Sequence, residues 1–171
     1  MEVSQRLKRM TTILDKLGRE PTMRLASMQD IGGCRAVLST TREVRRVEQR
    51  LKKNRPPIRY SDYIIAPRES GYRAIHVVVG YGDEFGVRRS VEVQLRTKVM
   101  HEWAITVERL SGRLRDDLKS GRGPQELLIL LAAVSEAMAL EERGETVSEA
   151  LNRHITELRA AAVPYLRGTH G

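Results

Sequence analysis

The chain is predicted to fold as an α+β domain built on a mixed or mostly antiparallel sheet. Three observations predict it. Period-two alternation marks a strand at Val91–Thr97, helical periodicity marks the segment from Thr41 to Arg55, and the elements run helix, strand, helix, three strands, then helices. At 171 residues the chain is long enough to bury a core as one domain.

The elements follow in order. Val3, Leu7, Met10, Leu14 and Leu17 recur at helical spacing, so residues 2–19 are expected to form one amphipathic helix. Lys8, Thr12 and Lys16, spaced by four, stack into a second, cationic stripe on it. Gly18 and Pro21 end that helix, and residues 34–40 form a buried strand. Thr41 to Arg55 is helical, with Val44, Val47 and Leu51 inward and seven basic residues against Glu43 and Glu48; Pro56-Pro57 stops it. Strands are expected at 58–65 and 73–81 around the loop Ala66–Gly71, then a turn at 82–86 and the strand containing Glu92. A helix from about Lys98 to Leu118 precedes a linker at 121–124 and two tail helices, 125–143 and 148–162. Leu127, Leu128, Leu131, Val134 and Met138 give the first tail helix an apolar circumference that must pack on the sheet or join another subunit.

Thirty Lys and Arg against 22 Asp and Glu give a net charge of +8, which favours an anionic partner without choosing among nucleotide, nucleic acid and membrane surface. A single cysteine, Cys34, excludes an intrachain disulfide and reads as a small core residue. With no signal-peptide pattern and no run of membrane-spanning length, the expectation is a soluble, cytoplasmic protein.

The chemistry concentrates in two places. Glu92, Gln94 and Arg96 share one face of their strand, opposite Val91, Val93 and Leu95. Asp30 stands just before the Gly32-Gly33 pair and an apolar run. Two carboxylates among Arg and Lys are what a magnesium-dependent phosphate-transfer site needs, since the acids hold the cation and the cation spans phosphate oxygens. A buried Glu92–Arg96 ion pair with structural duty alone is the competing reading. In Arg68-Glu69-Ser70-Gly71-Tyr72-Arg73 the glycine permits close backbone approach, Tyr72 offers a ring for a base, and the arginines can meet phosphate in fork geometry; an ordinary hairpin with a half-buried tyrosine is the alternative. His76, among Ala74, Ile75, Val77 and Val78, has the pattern of a packing histidine. Neither G-x-x-x-x-G-K-[ST] nor G-x-G-x-x-G is present, so phosphates must be cradled by side chains and magnesium.

Taken together, Arg6-Leu7-Lys8 with Thr12-Ile13 and Lys16, Met28–Arg35, Asp62-Tyr63-Ile64, Ser70–His76, Val91–Thr97 and His101-Glu102-Trp103-Ala104 resemble the synthetase domain of RelA/SpoT-type alarmone synthetases, over about residues 5–110. The resemblance implies a nucleotidyltransferase-like mixed sheet flanked by helices over residues 1–118, with 119–171 as a two-helix C-terminal extension. It implies an ATP:GTP 3′-diphosphotransferase moving the β,γ-pyrophosphate of ATP to the 3′-hydroxyl of GDP or GTP. Asp30 and Glu92 would coordinate Mg2+, with Glu92 also the base. Arg6, Lys8, Thr12, Lys16 and Arg35 would hold the ATP phosphates. Arg68, Ser70, Tyr72, His76 and Gln94 would line the acceptor side, with Tyr72 stacked on guanine. Thr12 replaces the family's usual Ser, and Ser70 a frequent Asn. Relatives generally carry helices upstream of the first motif, and no His-Asp pair of the family's hydrolase domain occurs here. Two alternatives stay open: a toxin-like relative acting on the tRNA 3′ CCA end or an adenosine nucleotide, and a non-catalytic nucleotide-binding module. A homo-oligomer through the tail helices is a further expectation, and no membrane partner is expected.

Overall fold

The computed structural model describes residues 1–8, 10–25, 28, 31–82 and 88–166, with the side chains of Thr11, Thr12 and Arg88 outside the description. Five strands form one mixed sheet in the order β1-β2-β5-β4-β3: β1 (Glu2–Leu7), β2 (Gly32–Leu38), β3 (Arg59–Asp62), β4 (Ile75–Gly82) and β5 (Arg88–Thr97). β2 and β5 run parallel at the centre, and the other three pairings are antiparallel. The helices are α1 (Met10–Arg19), α2 (Thr41–Asn54), α3 (Lys98–Leu114), α4 (Gln125–Glu142) and α5 (Glu149–Leu166), with a short 3-10 turn at Leu118–Ser120.

The chain divides into two compact units. The first holds Met1–Asp62 and Ala74–Thr97, hence the whole sheet with α1 and α2; the second holds Tyr63–Arg73 and Lys98–Gly171. In the first unit, alternation sorts the sheet into two faces. Directly opposed residues project to the same side, so Ile75, Val77, Val93, Leu95 and Ala36 form one face, and all five are buried. α2 covers this face, seating the fully buried Val44. It starts where expected because Thr40 caps it: its hydroxyl accepts from the Glu43 amide at 3.2 Å, and the Glu43 carboxylate accepts from the Ser39 amide at 2.9 Å. On the flank of α2 nearest β3, the Arg45 guanidinium bridges Glu48 and Asp62, while the Tyr60 hydroxyl donates to Glu48 at 2.7 Å and Lys52 to the same carboxylate at 2.7 Å.

In the second unit α4 packs on α3 and α5. Leu127, Leu130, Leu131, Ala133 and Ala139 are buried and Leu128, Val134 and Met138 are half-buried, so the apolar circumference expected of this helix is largely covered.

Three expectations fail: the strand expected at 58–65 stops at Asp62, with 63–65 in a turn, the helix expected to reach about Leu118 ends at Leu114, and the amino-terminal helix is the third. Residues 2–19 are not a single helix: Glu2–Leu7 is an edge strand, and only Met10–Arg19 is helical. Backbone pairing with β2 decides the matter, since it satisfies amide and carbonyl groups that a helical pattern of mostly exposed side chains has no core to reward. The cationic stripe is broken with it. Lys8 precedes the helix, and its amide donates to the Ile31 carbonyl at 2.9 Å, continuing the ladder.

Candidate active site

The face of the sheet opposite α2 carries the polar residues. Two rows cross it by strand register: Arg6, Gly33, Glu92 and Val78 in one; Ser4, Arg35, Gln94 and His76 in the other. Glu92, Gln94 and Arg96 share this face as expected. All three are buried, Arg96 completely.

Glu92 is the hub. Its Oε2 accepts from Arg6 Nη1 at 3.2 Å and from Gln94 Nε2 at 2.7 Å, and its Oε1 lies 3.2 Å from His76 Nδ1. Gln94 in turn accepts from Arg96 Nη2 at 3.1 Å, so amide and guanidinium form a relay running back from the carboxylate along β5. Arg6 sits on β1 and Glu92 on β5, with β2 between them, a span of about 10 Å. The residue between is Gly33. Having no side chain, it leaves the lane through which the Arg6 guanidinium crosses. A Cβ at Gly33 would also collide with the Glu92 carbonyl oxygen.

Burial pushes the Glu92 carboxyl up in pKa. The hydrogen bond and charge of His76, the charge of Arg6 and the Gln94 amide outweigh it and hold the group down to about 2. The carboxylate is therefore ionised throughout the neutral range, which suits a hard divalent cation or a hydroxyl awaiting orientation. Asp30, Glu92's expected partner, lies outside the described residues, as does the side chain of Thr12. Among the described residues no cluster of three His, Cys, Asp or Glu side chains is poised around one ion. Lys16 and Lys8 are half-buried, and Arg35, opposite Gln94, faces the same side as Glu92. Burial raises the pKa of the Cys34 thiol, in keeping with a packing residue.

The acceptor-side residues divide between the units. His76 and Gln94 belong to the sheet; Arg68, Ser70 and Tyr72 belong to the second unit. There the loop is clamped. Gly71 adopts a φ of +83°, and a Cβ on it would lie 2.8 Å from Ala132 Cα of α4. The Ser135 hydroxyl donates to the Gly71 carbonyl, and the Ser70 hydroxyl donates to the Lys119 carbonyl at 2.9 Å. Tyr72 is completely buried, its ring 5.8 Å from that of Tyr63 and 6.4 Å from Trp103. In this conformation its ring is not offered to a base. Tyr63, half-buried, carries the Arg68 guanidinium over its ring at 4.6 Å and accepts from Arg68 Nη2 at 3.0 Å. Sequence reasoning gave Tyr63 no role, although it stands inside the Asp62-Tyr63-Ile64 motif. The gap at Gly33 was likewise missed, because its meaning depends on which strands flank it.

Residues 5–109 match the profile of the region found in RelA / SpoT proteins. The GTP pyrophosphokinase YjbM of Bacillus subtilis (strain 168) is 31% identical over 169 residues, covering 93% of this chain and 75% of its own length. The small alarmone synthetase 1 of Bacillus subtilis, solved bound to its product pppGpp, superposes with a TM-score of 0.71 at 27% identity, covering 94% of this chain and 79% of that one. A GTP pyrophosphokinase family protein from Streptococcus pneumoniae gives 0.65 at 27% identity, covering 94% and 76%. Glu92 with its Arg6, His76 and Gln94 partners thus lies within a matched region, and the chain belongs to the RelA/SpoT family as a GTP diphosphokinase-like enzyme.

Proposed function

We propose that this enzyme transfers the β,γ-pyrophosphate of ATP to the 3′-hydroxyl of GDP or GTP, forming ppGpp or pppGpp, and acts in the cytoplasm. The observation that carries the reading is a buried, ionised Glu92 ringed by Arg6, His76 and Gln94 on one face of the sheet. It is supported by the relatives' names as GTP pyrophosphokinases. In the reaction the acceptor 3′-oxygen attacks the β-phosphorus, the bond from that phosphorus to the oxygen shared with the α-phosphate breaks, and AMP leaves with that oxygen.

Arg6, Lys8, Thr12, Lys16 and Arg35 would hold the triphosphate by charge and hydrogen bonds. The ionised Glu92 and Asp30 suit Mg2+, which when bound would neutralise charge developing on the transferred group. Glu92 itself would take the 3′-hydroxyl proton. With a pKa near 2 it is a weak base while Arg6 and His76 stand against it. Drawing Arg6 towards triphosphate oxygens takes its guanidinium off the carboxylate and strengthens the base only when ATP is present. On the acceptor side, His76 and Gln94 would orient the ribose, and Arg68, Ser70 and Tyr72 the base and phosphates. Opening of the 68–72 loop from α4 would precede stacking on Tyr72. We assign residues 1–118 to this synthetase part and 119–171 to a helical extension.

The test is transfer of label from γ-labelled ATP to GDP, GTP, AMP or deacylated tRNA. Label should appear on GDP or GTP and vanish in Glu92→Gln and Asp30→Ala. Labelled tRNA or adenosine nucleotide alone would establish the toxin-like alternative, and no transfer to any acceptor would leave a binding module.

A further inference from the structure

Lys119 belongs to no motif of the sequence and lies beyond the matched residues 5–109. It sits in the 3-10 turn Leu118–Ser120 that follows α3. Leu118 fixes that turn: its side chain is completely buried, and its amide donates to the Ser111 hydroxyl at 3.2 Å. Lys119 is thereby held against the acceptor loop, within the second unit.

Three contacts define its place. Its carbonyl accepts from the Ser70 hydroxyl at 2.9 Å. Its ammonium lies 4.8 Å from the centre of the Tyr72 ring and 2.9 Å from Glu108 Oε1. The Arg68 guanidinium lies 5.7 Å from the same ring centre, so two cations attend one tyrosine. Tyr72 and Ser70 are completely buried, whereas the Lys119 and Glu108 side chains keep 19% and 38% of their exposure. The charged end of Lys119 is therefore open to a ligand arriving from solvent. An ion pair this wet contributes little to stability, so holding the fold together is a poor account of it.

We infer that Lys119 binds the 5′-phosphates of the acceptor nucleotide together with Arg68. This rests on the reading of Tyr72 as the ring that receives the acceptor base. A base stacked there brings its own phosphates to the cations beside the ring. An ammonium gains more from a full phosphate charge than from the quadrupole of a tyrosine, so it leaves the ring for the phosphate. Glu108 keeps the ammonium in place while the loop is empty. Charge then selects the acceptor. GDP and GTP present several negative charges to Lys119 and Arg68, the last phosphodiester of a tRNA end presents one, and guanosine presents none.

The test is equilibrium dialysis of the full chain with labelled GDP, GMP and guanosine in the presence of Mg2+. Lys119→Met should weaken GDP by about tenfold, GMP by less, and guanosine not at all. Lys119→Arg should recover most of the loss. Glu108→Gln, which frees the ammonium from its carboxylate, should bind GDP about twofold tighter; a lysine serving only the fold would weaken GDP in this variant as well. In steady-state transfer, Lys119→Met should raise KM for GDP and leave that for ATP unchanged. Should Lys119→Met misfold by circular dichroism, Lys119→Gln replaces it, with the same direction expected. Binding is read without turnover, so a wild type that binds GDP but transfers no label would remove the proposed reaction and leave Lys119 its role. The inference is overturned if wild type does not bind GDP, if Lys119→Met leaves GDP binding intact, or if it weakens guanosine and GDP alike.

Discussion

Replacing Glu92 by Gln removes one charge from the centre of the site and converts its electrostatics into a measurable stability. The folded carboxyl sits at about 2 against 4.5 for the ordinary group. Because the folded value is the lower one, the stabilisation is complete above 4.5 and is lost as pH falls from there through 2. At 1.36 kcal/mol per unit, the buried carboxylate contributes about 3 kcal/mol at neutral pH. At pH 3 less than half of that remains, since the unfolded state has already taken up its proton and the folded state has begun to. Urea unfolding of wild type and Glu92→Gln at pH 7 and pH 3 measures this. The gap between the two proteins should narrow by about 2 kcal/mol at the lower pH; titrating groups away from Glu92 cancel in the difference, whereas His76, which touches it, is part of what is measured. Parallel losses, with the gap unchanged, would show that Arg6 and His76 do not hold Glu92 ionised and would remove the electrostatic basis of the site.

Three further outcomes follow from the geometry. Gly33→Ala, whose new Cβ collides with the Glu92 carbonyl oxygen, should cost about 1–3 kcal/mol in urea unfolding and lower transfer at saturating GDP. Ser135→Ala leaves the buried Gly71 carbonyl without its donor and should destabilise by about 1–3 kcal/mol; a melting temperature equal to wild type would count against the clamp. Tyr63→Leu removes the platform under Arg68 and should raise KM for the acceptor with little change in that for ATP, as steady-state kinetics would reveal.

The strands at Glu92 and His76 and the helix from Thr41 were legible because their periods are long and their ends marked: Thr40 and Glu43 cap α2, and Pro56-Pro57 stops it. The sharing of one face by Glu92, Gln94 and Arg96 required only the pleat. β1 was not legible, since Val3 and Leu7 suit a helical stripe and its strand form depends on the free edge of β2. Nor could the sequence say whether Glu92 pairs with Arg96. Gln94 stands between them in the relay, and the carboxylate meets Arg6 from two strands away. The burial of Tyr72 was invisible for a related reason: Ser135, which clamps its loop, is 64 residues from Gly71.

The parallel pairing of β2 with β5 sets when catalysis first becomes available during synthesis. Gly33 meets Glu92 across 59 positions of sequence, so closing that loop is entropically expensive and comes late, after the local helices have formed. A nascent chain halted before Arg88 would already display Arg6, Lys8 and the α2 cations, yet lack Glu92, the buried acid that Arg6 meets. Such a fragment is a polycation with nothing to catalyse. Premature termination upstream of β5 therefore yields an inert product rather than an unregulated enzyme.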